Sequence, residues 1–417
     1  MIVLLDDPRA RSFEPFATTR PLGEVRAGAV LIRERWAHVL SAPAIGFVSS
    51  PHLSGFSEFA APPAHEGAVP AGTWLVNTRA LPHLQATASD AAVLSIDGRV
   101  AAVRVGGDVT VEQLRDPLFS LDSVMPEAGP GAGTRVEVPG VWLEHVWDLT
   151  ATLQELLLSD IPLVGAMVGA RSITEPQATA QAALPGVHVI GLYDVLLEPG
   201  AEVEPMTVFD TSAGPVLLRA GARVRAFTRV VGPCYVGRQS TVTADRIAGC
   251  SIGDACRVHG EVSSTIFIGH ANKGHDGFVG HSVIGRWANL GAGTITSNLK
   301  NTYGSVSLWT PEGVRDTGLQ FLGSMLGDHA KTGIGLRLTT GCVVGAGANV
   351  FDAIPPKLVP PFAWGGPTPY GVFAPDAFVD TAARVMSRRQ VELSEAARGW
   401  WRTVHRMATT DPRWTRT

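Results

Sequence analysis

Aliphatic residues recur at strict six-residue spacing through the second half of this 417-residue chain. Leu218, Val224, Val230, Val236 and Val242 form one run, and Leu326, Thr332, Leu338, Val344 and Val350 another. Between them lie Phe278, Ile284, Leu290 and Thr296. Many of these anchors are followed by Gly and then a small residue, as in Val236-Gly237-Arg238-Gln239-Ser240 and Val344-Gly345-Ala346-Gly347-Ala348. Period six matches neither a helix at 3.6 nor a plain strand at 2. It matches a chain that turns a corner every sixth residue and points one aliphatic side chain inward per edge. Three edges make a triangular coil of about 18 residues, and stacked coils make a parallel solenoid. A β-sandwich is the alternative, but its turns recur every 8–12 residues. Much of the chain's unusual glycine falls between residues 190 and 350, where the corners need it.

The ladder breaks at 261–277 and again at 298–320, and such insertions extrude as loops that carry binding faces. Residues 1–160 read differently. Ile2–Leu5, Ile45–Val48, Trp74–Val76 and Val93–Ile96 are strand candidates, and Ala27–Leu40 and Thr150–Leu158 have helical spacing. That alternation predicts an α/β domain on a mainly parallel sheet. Its ligand loop is then Asp6–Arg26, beyond the first strand's carboxyl end. Residues 161–186 read as a linker, 187–355 as the solenoid, and 356–417 as a Pro-rich exit with a helix at 375–408 that caps the coil.

Hydrophobic residues make up 45% and charged ones 17%, enough apolar surface for a large core. A net charge of −4 with no basic run argues against nucleic acid as a partner. Cys234, Cys250, Cys256 and Cys342 show neither C-x-x-C spacing nor a disulfide framework. No apolar stretch approaches a membrane span, and the run at 2–5 is too short for a secretory signal. These features lead us to expect a soluble cytoplasmic protein.

The densest polar cluster is Asn272-Lys273-Gly274-His275-Asp276-Gly277-Phe278, followed by Asn289-Leu290-Gly291-Ala292-Gly293-Thr294 and Asn298. Stacking of coils places these near one another. A neutral histidine here can take a proton from an incoming nucleophile near pH 7, and Gly291–Gly293 let a thin ligand approach the backbone. The alternatives are an exposed loop histidine for His275 and an asparagine ladder inside the coil for Asn289. His259, His270, His281 and His329 lack metal-site spacing and read as structural or loop residues.

The run His275…Phe278-Val279-Gly280…Ile284-Gly285…Asn289-Leu290-Gly291-Ala292-Gly293-Thr294-Ile295-Thr296-Ser297-Asn298 resembles the acetyltransferase half of the bifunctional GlmU family. Phe16-Ala17-Thr18-Thr19-Arg20-Pro21, Asn272–Phe278 and Pro355–Gly365 are similar to a divergent GlmU-like group of sugar nucleotidyltransferases. The resemblance implies an α/β nucleotidyltransferase-like domain, a left-handed parallel β-helix, homotrimers, and acetyl-CoA and glucosamine 1-phosphate as substrates. It implies His275 as general base, with Phe278, Asn289 and Asn298 near the sugar, while Lys273 or Arg257 is the candidate to replace the charge of a missing phosphate-gripping lysine. Gly291, Ala292, Gly293 and Ile334 would lie by the coenzyme A arm. In the amino-terminal domain Arg20 is the candidate to replace the family's phosphate-binding arginine, and Asn77 is a further candidate contact. Arg26 and Arg79 meet either a ligand or a structural carboxylate, and Asp6 and Asp7 are the carboxylate pair open to Mg²⁺.

The departures are specific. The family's Gly-rich phosphate loop is absent, Asn77-Thr78-Arg79 stands where an Asp-containing metal motif is expected, Ser263 replaces a phosphate-gripping lysine, and Phe278 replaces a tyrosine. The expected function is acetyl transfer to an amino-sugar phosphate together with nucleotidyl transfer from an NTP to the sugar 1-phosphate. The alternatives are nucleotidyl transfer alone, with the solenoid as a trimerisation or effector module, and a non-catalytic sugar-nucleotide-binding protein.

Overall fold

The computed structural model describes residues 1–88, 91–126, 134–174, 184–243, 245–366 and 368–415. The amino-terminal domain is built on a six-stranded sheet in the order 134–137, 91–96, 99–104, 74–77, 2–5, 44–48. Strand 2–5 pairs in parallel with 44–48 and 74–77, whereas 99–104 runs antiparallel to both its neighbours. Strand 134–137 also pairs in parallel with 91–96, so the sheet is mainly parallel with the one strand 99–104 reversed. Asp97-Gly98 is the reason: both residues lie in the left-handed region (φ +51° and +72°), which makes the two-residue turn that matches hairpin twist.

Two helical expectations shift. The first helix is Ile32–Val39, because Arg26–Ala27 and Val30–Leu31 pair as a short hairpin before it. The second is Leu153–Met167, which runs past Leu158 into the segment read as a linker. Ser159-Asp160 looks polar enough to end a helix. In the fold Asp160 is wholly buried, 2.5 and 3.0 Å from the Arg35 guanidinium.

The solenoid has the expected triangular section. Two ten-stranded sheets and a six-stranded sheet, continued by the pair 295–296 and 337–338, form its three faces. Neighbouring rungs are parallel except at the two terminal strands, 171–172 and 371–372. Leu218, Val224, Val230, Val236 and Val242 are all fully buried in the interior ladder. Val279, not Phe278, is the anchor of its rung, since Val262 stacks on Val279. Coils tighten in this region, and the same slip turns Lys273 inward above Val258.

The first break, 261–277, is not an extruded loop. Val262, Ile266, Phe267 and Ala271 stay in the core and keep the strands paired, so that only the turn at 274–278 departs. The second break does leave the coil and carries a hairpin, Ser307–Thr310 with Gly313–Asp316. The last rungs are 358–359 and 363–365, beyond the Pro-rich start of the exit. Two helices follow, Pro375–Ser387 and Glu395–Thr410. They pack along a corner of the solenoid, through Phe378 and Trp401 against Trp287 and Phe362.

One apolar cluster spans both domains. Phe13, Phe16 and Leu53 share it with Leu217, Tyr235, Ile266 and Met325, so the amino-terminal domain covers one solenoid face. The segment expected to be the ligand loop forms this seam, because Phe13, Phe16, Leu22 and Val25 within it are apolar and buried. Arg20 and Arg26 are consequently not free for phosphate. Arg20 is 2% exposed and binds Asp328 (2.8 Å) and Glu58 (3.0 Å). Arg26 donates to the Ala29 carbonyl and lies 5.0 Å from the Tyr235 ring centre. Sequence spacing could not show this, since the carboxylates that hold Arg20 come from distant segments.

Candidate functional site

Lys273 is the structural root of the solenoid site. It occupies an interior rung where a lysine would be isolated, yet its Nζ donates to the carbonyls of His259 (2.9 Å) and His275. A buried ammonium is tolerated only when hydrogen-bonded in this way. Burial lowers its pKa to about 8, partly offset by Asp276 and Asp245. Lys273 therefore tethers the His275 turn from inside and is not placed to replace the missing phosphate contact, contrary to expectation.

Gly277 (φ +120°) completes the turn. A Cβ there would sit 2.3 Å from the Thr294 carbonyl, so only glycine lets the turn lie against the next coil. The His275 ring itself is exposed and makes no hydrogen bond with another described residue.

Replacing Lys273 by methionine keeps an aliphatic rung and removes the tether. Amide exchange over 274–278 is expected to speed up about tenfold or more, while unfolding stays cooperative. The pH dependence has a definite sign. Between about 8 and the ordinary value of 10.5 the unfolded chain binds more protons than the folded one. Wild type thus gains stability relative to Lys273→Met as pH rises through that window, and urea titrations showing the opposite slope would contradict the buried ammonium.

Beyond the turn, Phe278 and Asn298 meet over Gly280. A Cβ on Gly280 would lie 2.5 Å from Phe278 Cζ and 2.8 Å from Asn298 Nδ2. Asn298 Nδ2 is also 2.9 Å from His281 Nδ1, and the His281 ring stacks on Phe321 with centres 5.4 Å apart. Sequence reasoning missed His281 and Phe321, because Phe321 arrives only when the second insertion returns to the coil. Asn289 lies on the adjacent face, where its Oδ1 accepts from Asn272 Nδ2 at 2.8 Å. An asparagine ladder inside the coil is therefore not what forms: the pair spans two coils on their outer side. Gly291, Ala292 and Gly293 form the edge between those faces. Gly291 has no room for a Cβ, which would stand 2.4 Å from the Gly333 carbonyl, and Ile334 on the next coil is 81% exposed.

The amino-terminal domain has its own cleft of about 410 Å³ beyond the end of strand 2–5. Asp7, Asn77 and Arg79 line it, joined by Arg99, Arg135 and Trp142, which the sequence did not single out. Arg79 is occupied: it binds Asp7 (2.7 Å), the Leu143 carbonyl (2.9 Å) and Glu144 (3.1 Å). Arg99 lies 4.0 Å from the Trp142 ring centre, a guanidinium over an indole at the cleft wall.

Asp6 and Asp7 do not fit the Mg²⁺ site expected of them. Burial raises the Asp6 pKa against hydrogen bonds from Ser49 and Thr78 (both 2.6 Å) and the Leu22 N–H (3.0 Å). At Asp7 burial acts in the same direction, but Arg79 and Asn77 overcome it and hold the carboxyl below its usual range. Both carboxylates are thus spent on protein donors, with a cation beside Asp7. No cluster of three metal-ligating side chains occurs among the described residues.

Comparison with known proteins agrees with this two-part layout. Residues 2–167 match the sugar nucleotidyl transferase family. The chain is 28% identical over 158 residues to an uncharacterized acetyltransferase, YaiX, of Escherichia coli, covering 35% of this chain and 66% of that protein. It is 29% identical over 121 residues to the bifunctional protein GlmU of Methanococcus vannielii, covering 29% and 27% respectively. A bifunctional sugar-1-phosphate nucleotidylyltransferase/acetyltransferase of Sulfurisphaera tokodaii is 31% identical over 91 residues, covering 22% and 23%. The chain therefore spans just under two thirds of the first of these relatives and about a quarter of the other two. Residues 2–167 are thus similar to sugar nucleotidyl transferases, and further parts of the chain are similar to YaiX and to GlmU proteins.

Proposed function

We propose that the protein is a transferase whose solenoid moves an acetyl group from acetyl-CoA to the amine of an amino-sugar phosphate such as glucosamine 1-phosphate. The observation that carries this reading is the exposed His275 ring on a lysine-tethered turn beside the Phe278, Gly280 and Asn298 surface. The amine nitrogen attacks the thioester carbonyl, and His275 takes the proton that the nitrogen sheds. The C–S bond then breaks, and the thiolate leaves with a proton returned by the imidazolium. Asn298 faces the amine, and Asn289 a neighbouring polar group of the sugar. The thin edge at Gly291–Gly293, with exposed Ile334, suits the pantetheine arm.

The amino-terminal cleft supports a second activity, nucleotidyl transfer to a sugar 1-phosphate. Its support is the family match over 2–167 and a cleft beyond the strand ends where α/β sheets bind ligands. Arg99 pairs with Glu144 and covers the Trp142 ring, and both would be released as it takes up a phosphate there. Asp6 and Asp7 have no metal role in this reading. A homotrimer with sites between neighbouring solenoids belongs to the same proposal, and light scattering of the purified protein tests it. Among the described residues no helix is long and apolar enough to cross a membrane.

The deciding experiment incubates the protein with glucosamine 1-phosphate, acetyl-CoA, UTP and Mg²⁺ and follows small molecules by mass spectrometry. N-acetylglucosamine 1-phosphate is the expected product of the solenoid. UDP-N-acetylglucosamine in addition would establish the second activity. Neither product, with this and related amino-sugar phosphates, overturns the reading in favour of a binding protein.

A further inference from the structure

His281 was set aside in the sequence as a structural histidine, but its surroundings are those of a working group. Three features of the returning insertion converge on it and on Asn298. The Leu322 N–H donates to the Asn298 carbonyl at 2.9 Å, and the Gly323 N–H donates to the His281 carbonyl at 2.9 Å. Phe321 lies against the imidazole with 24° between ring planes. Both backbones are thereby locked, and the two side chains meet through Asn298 Nδ2 and His281 Nδ1.

That contact has a chemical direction. An amide nitrogen only donates, so with Nδ2 on the imidazole side Nδ1 accepts through its lone pair and the neutral ring carries its proton on Nε2. The amide oxygen of Asn298 then points away from the imidazole and makes no hydrogen bond with another described residue. Were His281 doubly protonated, Nδ1–H would demand the oxygen instead, and the amide would have to reverse. Burial lowers the His281 pKa and favours the neutral ring, and no charged neighbour contributes to that shift.

We propose that His281 is a positioning residue that fixes the Asn298 amide with its oxygen presented to the acceptor amine, the returning strand at Phe321–Gly323 holding the pair in register. A carbonyl oxygen aimed at an amine N–H orients the nitrogen lone pair toward the acyl carbon, whereas a reversed amide would offer N–H against N–H. This inference rests on the acyl-transfer reading of the site, but its geometric half can be read without turnover.

His281 has a left-handed backbone (φ +49°), so the variants must tolerate that conformation, as Gly, Asn and Asp do. His281→Asn and His281→Asp keep an acceptor facing Asn298 and are expected to stay within about threefold of wild type. His281→Gly removes it and is expected to lower kcat/KM for the amino sugar about tenfold, leaving KM for acetyl-CoA unchanged. Added imidazole should restore part of that loss. In ¹⁵N-histidine-labelled wild type, the His281 ring is expected as the neutral Nε2–H tautomer at pH 7.

A glycine variant as active as wild type, or an Nδ1–H ring, overturns the inference. Failure of the acyl-transfer reading looks different: wild type then acetylates no amino-sugar phosphate, and the tautomer measurement alone decides the role of His281.

Discussion

Replacing His275 by alanine lowers acetyl transfer by about 10²–10⁴-fold, the range for losing a positioned general base. The loss falls on kcat, because the amine must shed its proton as the C–N bond forms and no other exposed titratable ring shares the tethered turn. Binding is spared. The His275 ring makes no hydrogen bond with another described residue, and its turn is held by the backbone through Lys273 and Gly277. Thermal unfolding of His275→Ala should therefore superimpose on that of wild type, and KM for both substrates should change little. An alanine variant that keeps more than a tenth of the wild-type rate would remove His275 from the chemistry. A variant that unfolds early would show the turn to be a structural support instead.

Removing Asp160 has the largest expected effect on stability. Asp160 and Arg35 are both wholly inaccessible to solvent. Asp160 also accepts the Ala29 N–H at 3.0 Å, and Arg35 donates to the Pro82 and Ala27 carbonyls. Asp160→Ala strands a guanidinium in the core, which costs about 3–5 kcal/mol. The damage reaches the domain seam, since the neighbouring Gly28 carbonyl accepts the Ser251 hydroxyl of the solenoid at 2.6 Å. Urea unfolding should show an early transition of the amino-terminal domain. The double variant Arg35→Met with Asp160→Leu, which removes both charges at similar volume, should recover most of the loss. If it is as unstable as the single variant, the helix packing rather than the ion pair holds the seam.

Much of the solenoid was legible and much of the amino-terminal site was not, for reasons visible in single residues. Leu218 through Val242 announce their inward direction because a rung's neighbours repeat its own local pattern. The hexad misled at Phe278, where the coil tightens and Val279 takes the interior place. Ser159-Asp160 looked like a helix end because its partner, Arg35, is 125 residues away. Arg20 looked like a phosphate ligand because Asp328 lies 308 residues along the chain.

The site divides in the same way. The order of His275, Gly277, Asn289 and Asn298 along the chain pointed to one polar region, and the fold places them around one corner and its two flanking faces. The pairing of Asn298 with His281 under Phe321 had no periodic signature, because it depends on where an insertion re-enters the coil. Likewise Lys273 appears in the sequence as one more cation in a polar cluster. Only the shortened coil turns it inward and makes it a tether.

The sequence by itself determined the solenoid, its inward ladder and the corner that bears His275. Those properties are local, and each coil restates them. Tertiary structure alone decided which charges are spent on the fold, and which polar groups are left facing solvent. A buried ion requires a partner of opposite sign or a set of dipoles, and here Arg20, Arg35, Lys273 and Asp7 find theirs across distant strands, neighbouring coils or the domain seam.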